Sequence, residues 1–302
     1  MTTLEKIAKL KKTKNAVILA HYYTPADVQA VADYVGDSFY LSKVAVSLEA
    51  DTIVFCGVSF MGESAKLLNP HKTVLMPDLE ADCPMAHMAT PEDILRVRAE
   101  YEDVAVVCYI NSDTELKSLS DVCVTSANAV KVVKALPNKN IYFIPDKNLA
   151  HYVAEKIPEK NFIFNPGFCP IHEHMSADEI KSAKLSHPNA LVLAHPECSK
   201  EILNMADYIG STSGILNFAK DSEVGEFIIC TEQGVEYELK RQNPVGKRFY
   251  FPKTAPVCPG MKRVTLEKVL RVLETGENQV TLPEGLTESA VEPLDKMLKL
   301  AK

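Results

Sequence analysis

Short apolar runs alternate with amphipathic stretches along this chain, and the alternation occurs three times over. Each copy opens with a run of one kind: Ala16-Val-Ile-Leu-Ala20, Val104-Ala-Val-Val-Cys108 and Ala190-Leu-Val-Leu-Ala194. Brief, unbroken aliphatic runs of this length predict strands buried on both faces, as in parallel sheets. A second landmark follows: Ala32-Asp-Tyr-Val-Gly-Asp-Ser38, Ser120-Asp-Val-Cys-Val-Thr-Ser126 and Ala206-Asp-Tyr-Ile-Gly-Ser-Thr212. A helical stretch then leads to a third strand (Thr52–Phe55, Ile141–Ile144, Glu226–Ile229). Another leads to a fourth (Thr73–Met76, Phe162–Phe164, Arg248–Phe251).

Each copy therefore reads as a β-α-β-α-β-α-β unit, and such alternation predicts a parallel sheet with helices on both faces. The expected fold class is α/β: three homologous αβα domains around a pseudo-threefold axis, with one central cavity. The expected boundaries are residues 1–89, 90–175 and 176–302, the last including C-terminal helices, with the terminal helices free to pack across copies. Thr90-Pro-Glu-Asp93 and Ser176-Ala-Asp-Glu179 carry the capping-box pattern that starts a helix. Residues 4–12, 266–273 and 289–300 read as further helices.

Composition narrows the class. A 302-residue chain with 46% hydrophobic and 24% charged residues can bury a large core. No apolar run approaches the ~20 residues that span a bilayer, and the N-terminus is too charged for a signal peptide. The chain reads as cytoplasmic, with no membrane partner. A net charge of −7 argues against nucleic-acid binding, so an anionic substrate must be held by local donors.

Eight cysteines in a reducing compartment need a reason. No CxxC pair suggests a zinc ribbon or a thioredoxin-like site. Cys56, Cys108, Cys123 and Cys230 lie in or beside strand-like runs and read as small core residues; Cys198 follows a polar triplet. Cys83, Cys169 and Cys258 differ. They lie 86 and 89 residues apart, each in a Cys-Pro loop: Asp82-Cys83-Pro-Met, Phe168-Cys169-Pro-Ile and Val257-Cys258-Pro-Gly. Core cysteines do not recur in equivalent loops. Three thiolates around an axis suit a metal centre with an open position, either zinc or an iron–sulfur cluster.

The other candidate chemistry sits at the carboxyl ends of the strands, where parallel α/β sheets bind ligands. The first strands end in His21-Tyr22-Tyr23, Tyr109-Ile110-Asn111 and His195-Pro196-Glu197. Residues i and i+2 share a side, pairing His21 with Tyr23, Tyr109 with Asn111, and His195 with Glu197. Ser38, Ser126 and Thr212 each follow a strand and are expected to cap the next helix. Helix N-termini also hold carboxylate or phosphate.

Taken together, the chain resembles the iron–sulfur-dependent quinolinate synthase family. The resemblance rests on Ala20-His21-x-Tyr23, Gly36-Asp37-Ser38, Asp82-Cys83-Pro-Met, Tyr109-x-Asn111-Ser112, Thr125-Ser126-Ala-Asn128, Cys169-Pro-x-His172, His195-Pro-Glu197-Cys198, Gly210-Ser-Thr-Ser213 and Cys258-x-x-Met261-Lys262. It covers about residues 10 to 275 and departs in two places. Tyr22 and Thr24 replace the family's usual Asn and Gln, and Cys258 stands alone where some members carry CxxCxxC.

The resemblance implies a transferase of NAD biosynthesis that condenses iminoaspartate with dihydroxyacetone phosphate to quinolinate, phosphate and water. It implies a [4Fe–4S] cluster on Cys83, Cys169 and Cys258 acting as a Lewis acid. The substrate-binding set it implies is His21, Ser38, Tyr109, Ile110, Asn111, Ser126, His195, Pro196, Glu197, Ser211 and Thr212. Glu197, Tyr23, His21 and Tyr109 are the expected acid–base groups. His172 is expected either to support the cluster loop or to touch substrate. L-aspartate oxidase or aspartate dehydrogenase is the implied source of iminoaspartate. Two other classes compete: a cluster-dependent hydro-lyase acting on a hydroxy-carboxylate, and an iron–sulfur sensor or zinc scaffold without activity.

Overall fold

The computed structural model describes residues 1–243 and 245–302. Its strands form three separate four-stranded sheets, all parallel. The first holds β1 (Ala16–His21), β2 (Tyr34–Gly36), β3 (Thr52–Cys56) and β4 (Thr73–Leu75). The second holds β5 (Val104–Tyr109), β6 (Val122–Val124), β7 (Asn140–Ile144) and β8 (Asn161–Phe164). The third holds β9 (Leu191–Ala194), β10 (Tyr208–Ile209), β11 (Glu226–Cys230) and β12 (Arg248–Tyr250). Each sheet has the same order, second strand–first–third–fourth. Chain order reverses between the first and third strands of each sheet, so each repeat has a switch-point crevice at its carboxyl edge.

The apolar runs form the inner strands because helices cover both of their faces. β5 is buried along its whole length and β3, β7 and β11 at all but their first residue. One continuous core joins the first two repeats, whereas the faces of the third sheet carry two separate apolar clusters.

The aspartate of the second landmark has the same structural task in all three copies. Asp33 Oδ2 accepts the Ile18 N–H at 2.8 Å, Asp121 Oδ2 that of Val106 at 2.7 Å, and Asp207 Oδ2 that of Val192 at 2.8 Å. The aspartate N–H returns a bond to the carbonyl of that same strand residue. A cation from the preceding helix completes each clamp: Lys11 at 2.6 Å, Arg98 at 2.9 Å and Lys184 at 4.0 Å. These clamps tie each first strand to its neighbour and to a flanking helix.

The repeats are closed into a ring by helices that pack on the next copy. Pro91–Glu100, after the first cysteine loop, packs on β5, and Ala177–Ser186, after the second, packs on β11. Leu266–Thr275, after the third, packs on β3 and on helices Thr3–Thr13 and Ala26–Val31 of the first repeat. Residues 278–280 pair antiparallel with the edge strand β4, through Val280 N–H to Val74 O at 2.8 Å and Met76 N–H to Asn278 O at 3.0 Å. The last helix, Thr287–Leu300, lies on Thr114–Ser118, β6 and Ser59–Leu68. The segment after Cys258, contiguous in sequence with the third repeat, thus packs on the first two.

The expected helix caps are corrected, by one residue toward the N-terminus in the first and third copies and by two residues toward the C-terminus in the second. Asp37 caps Ser38–Ser47 by accepting the Tyr40 N–H, and Ser211 caps Thr212–Asp221 by accepting the Gly214 N–H. Ser38 and Thr212 are therefore the first helical residues. In the second copy the helix begins at Ala129, and Asn128 binds the Thr125 N–H instead. Asp and Ser are strong capping residues placed one position earlier, so they take the cap and leave the following hydroxyls free to face elsewhere.

Candidate active site

The three carboxyl edges meet at one cavity of about 70 Å³. Every sheet contributes. Of the residues singled out from the sequence, His21, Tyr23, Ser38, Cys83, Tyr109, Asn111, Ser126, Cys169, His172, His195, Glu197, Thr212 and Cys258 all line it. Ile110, Pro196 and Ser211 do not. Ile110 is buried in the core, and the Ser211 hydroxyl is engaged as a cap.

Two of the three strand-end triplets hold their outer members at the cavity through one local device. The Tyr23 N–H donates to His21 Nδ1 at 3.1 Å, and the Glu197 N–H donates to His195 Nδ1 at 3.3 Å. A ring nitrogen that accepts carries no proton, so both neutral imidazoles hold theirs on Nε2. That of His195 faces Ser126 Oγ at 3.1 Å. Burial, aided by the neighbouring His195 and Lys262, lowers the His21 pKa to about 3 despite the pull of Glu197. Burial lowers His195 to about 4. At neutral pH both are uncharged donors.

Glu197 is the hub of the site. Tyr109 donates its hydroxyl to Glu197 Oε1 at 2.6 Å, and His172 Nδ1 sits 2.8 Å from Oε2. Burial pushes this carboxyl up, but His195, His172 and the Tyr109 hydrogen bond outweigh it and hold the pKa down to about 2. The group is an anion that can only accept. His172 Nδ1 therefore donates, while its Nε2 lies within hydrogen-bond reach of Thr231 Oγ1 at 3.0 Å. Thr231 in turn meets Tyr23 Oη at 2.7 Å, and Tyr23 meets Thr212 Oγ1 at 2.8 Å. A chain of hydrogen bonds thus runs Thr212–Tyr23–Thr231–His172–Glu197–Tyr109 across all three repeats. Burial, then the charge of Glu197, pushes both tyrosines well above their ordinary range, so both remain hydroxyl donors.

The three cysteine loops share one geometry. Cys83, Cys169 and Cys258 each have extended backbone, immediately precede a proline and open a single helical turn without using the thiol as a cap. They are half-buried, whereas the other five free cysteines are fully buried. Burial raises all three thiols. Cys83 is raised further by Cys258, and Cys169 by Glu197 and Cys83, so the groups sense one another across the cavity. Backbone N–H groups of each following turn oppose that rise. Among the described residues, the group of ligand atoms gathered within 4.8 Å is Cys169, His172 and Glu197.

Similarity to known proteins follows the same lines. A family model described as "Quinolinate synthetase A protein" matches residues 5–299. The chain belongs to that family. It is 50% identical over 298 residues to the quinolinate synthase of Fusobacterium nucleatum, covering 98% of this chain and 99% of that protein. It is 48% identical over 297 residues to that of Clostridioides difficile (98% and 97% covered) and 49% over 295 residues to that of Caldicellulosiruptor bescii (98% and 97%). No helix among the described residues of this family member is long and apolar enough to cross a membrane.

Several site residues escaped sequence reasoning. Thr231 and Glu232 follow the third strand of the third repeat, and Asp146 holds the corresponding place in the second. The triplicate alignment could have found them, since both carboxylates lie two residues beyond a strand end. Phe60 and Val58, which line the cavity from the first repeat, carry no signal that separates them from core residues.

Proposed function

We propose that this protein is a quinolinate synthase of NAD biosynthesis, condensing iminoaspartate with dihydroxyacetone phosphate to quinolinate, phosphate and water. The observation that carries this reading is the cavity itself. In a chain of this family, three thiols, an ionised glutamate and neutral hydroxyl and imidazole donors line one space. Iminoaspartate is unstable, so an aspartate-oxidising enzyme must supply it.

The donor set supports an iron–sulfur cluster over a single zinc ion. Three thiolates on one tetrahedral zinc lie about 3.8 Å apart, given Zn–S of about 2.3 Å. The three cysteines here do not form a group within 4.8 Å, a spread that suits a polynuclear centre. Held by Cys83, Cys169 and Cys258, a [4Fe–4S] cluster would keep one iron free of protein ligands and supply Lewis-acid polarisation of a substrate oxygen without net redox.

The remaining work falls to side chains. His21 and His195 offer Nε2–H donors to the substrate carboxylates. Ser38 and Thr212, at the starts of ten-residue helices, add hydroxyls and free backbone N–H groups, and Asn111 and Ser126 complete the rim. The condensation needs enolisation, C–C bond formation, imine formation and loss of water. Each step moves a proton. Glu197, ionised and hydrogen-bonded to Tyr109 and His172, is the base. Tyr23 and Tyr109, protonated at neutral pH, are the donors. The Tyr23–Thr231–His172–Glu197 chain gives a proton taken at one end a route to the other.

The test is anaerobic reconstitution followed by iron and sulfide analysis and an assay with iminoaspartate generated in situ. About four iron and four sulfide per chain and formation of quinolinate are expected. A fully loaded protein that makes no quinolinate but dehydrates a hydroxy-carboxylate would move the reading to a hydro-lyase.

A further inference from the structure

The cysteine loops are fastened to the scaffold in a way that breaks the threefold symmetry. In all three repeats the backbone two residues upstream of the cysteine is tied to the first residue of the helical segment that follows the third strand. Ala81 O accepts the Ser59 N–H at 2.7 Å, Gly167 O that of Lys147 at 2.8 Å, and Pro256 O that of Gln233 at 2.9 Å. The residue just before each donor differs: Val58, Asp146 and Glu232.

In the second repeat, Asp146 Oδ2 accepts the Cys169 N–H at 3.1 Å while Oδ1 accepts the Leu149 N–H at 2.7 Å. In the third, Glu232 Oε1 accepts the Cys258 N–H at 2.9 Å while Oε2 accepts the Gly234 N–H at 2.6 Å. Lys262 lies 2.8 Å from Glu232 Oε1 and donates to Tyr23 O at 2.6 Å, linking this loop to the first repeat. Both carboxylates are 0% exposed. Val58 offers no acceptor. There the Cys83 N–H faces its own neighbour Asp82, a half-exposed carboxylate held by Ser59 at 2.6 Å and His87 at 2.7 Å.

We infer that Asp146 and Glu232, the latter with Lys262, are positioning residues that fix Cys169 and Cys258 as metal ligands. This rests on the cluster reading above. Each carboxylate uses one oxygen to cap the segment after the strand and the other to hold a cysteine amide. The cysteine backbone is thereby locked to the sheet before any metal arrives. A carboxylate is required because two acceptors are needed and a side-chain amide offers only one. Removing the acceptor of such a buried bond leaves the cysteine N–H unpaired, which is enough to change a rate or equilibrium by about tenfold.

Asp146→Asn and Glu232→Gln keep shape while removing one acceptor, and Lys262→Gln tests the third loop without touching the carboxylate. The proteins are reconstituted anaerobically and treated with an iron chelator in the presence of iodoacetamide. Cluster absorbance and the order of cysteine alkylation are followed by spectroscopy and mass spectrometry. Asp146→Asn should release iron about tenfold faster than wild type and label Cys169 first. Glu232→Gln and Lys262→Gln should do the same and label Cys258 first. Thr90→Ala, which removes a helix cap away from the cavity, should release iron at the wild-type rate.

Wild-type release rates in the carboxylate variants overturn the inference. So does an identical alkylation order in Asp146→Asn and Glu232→Gln, or a fall in melting temperature with no change in release. A wild type that takes up no iron overturns the cluster reading and this inference with it. Normal wild-type loading with unaltered variants overturns this inference alone.

Discussion

The aspartate clamps and the cavity edge are built by the same three repeats, yet the first is nearly identical in every copy and the second combines a different set of side chains in each. Asp33, Asp121 and Asp207 each take the N–H of the same strand position and a cation from the preceding helix. At the carboxyl edge, corresponding positions hold His21, Tyr109 and His195, then Tyr23, Asn111 and Glu197. A scaffold task recurs identically because each sheet needs the same bond. One asymmetric substrate in a shared cavity needs a different group from each side, so the edges diverge. The cysteines are the exception: they sit at the edge and remain the same, as the proposed metal centre would ask the same thing of each repeat.

The comparison breaks most severely at the hub. Glu197→Gln should lower turnover by 10²-fold or more with iron content unchanged, measured as quinolinate formed per loaded chain; near-normal turnover would remove Glu197 as the base. Replacing Cys83, Cys169 or Cys258 singly by Ala should strip most of the iron, whereas Cys56→Ala, in the core, should leave iron content at the wild-type level.

Tyr109→Phe comes next. It removes the donor to Glu197 Oε1 and should cut kcat by about 10- to 100-fold, with little change in melting temperature. The scaffold side should behave in the opposite way. Asp121→Ala should lower stability by about 2–3 kcal/mol in denaturant titration, while activity per folded, loaded chain stays near wild type.

The smallest effect concerns Asp78. Burial pushes its carboxyl up, but the Lys268 hydrogen bond, the Glu80 N–H and the charges of Lys268 and Arg263 hold it below its ordinary value. A depressed carboxylate stabilises above the unfolded-state pKa of about 3.9 and loses that contribution as pH falls further. Asp78→Asn should therefore melt below wild type at pH 7, and the gap should narrow toward pH 3. A constant gap would assign Asp78 a purely steric part.

Much of this is legible in the sequence. The apolar runs fixed the sheet count, since unbroken Val/Ile/Leu stretches are comfortable only inside a parallel sheet, and the recurrence of Cys-Pro marked the three loops. The cap shifts by one residue in the first and third copies because Asp37 and Ser38, and Ser211 and Thr212, are adjacent cap formers. Which one takes the cap depends on where the backbone turns. The repeated aspartate was visible as a letter, but its task was not: Asp33 lies 15 residues beyond the strand residue it binds. Asp146, Glu232 and Thr231 were overlooked because a lone polar residue after a strand looks like any loop residue.

The sequence by itself determined the local elements, their threefold recurrence, and which residues stood at strand ends or in cysteine loops. Those properties depend on periodicity and side-chain type within a few residues. Only the tertiary structure decided which groups face one another. Tyr109 reaches Glu197 across 88 residues and Tyr23 reaches Thr212 across 189. Such bonds need two atoms within about 3 Å and correctly directed. That condition is met only when the three repeats bring their carboxyl edges to one cavity.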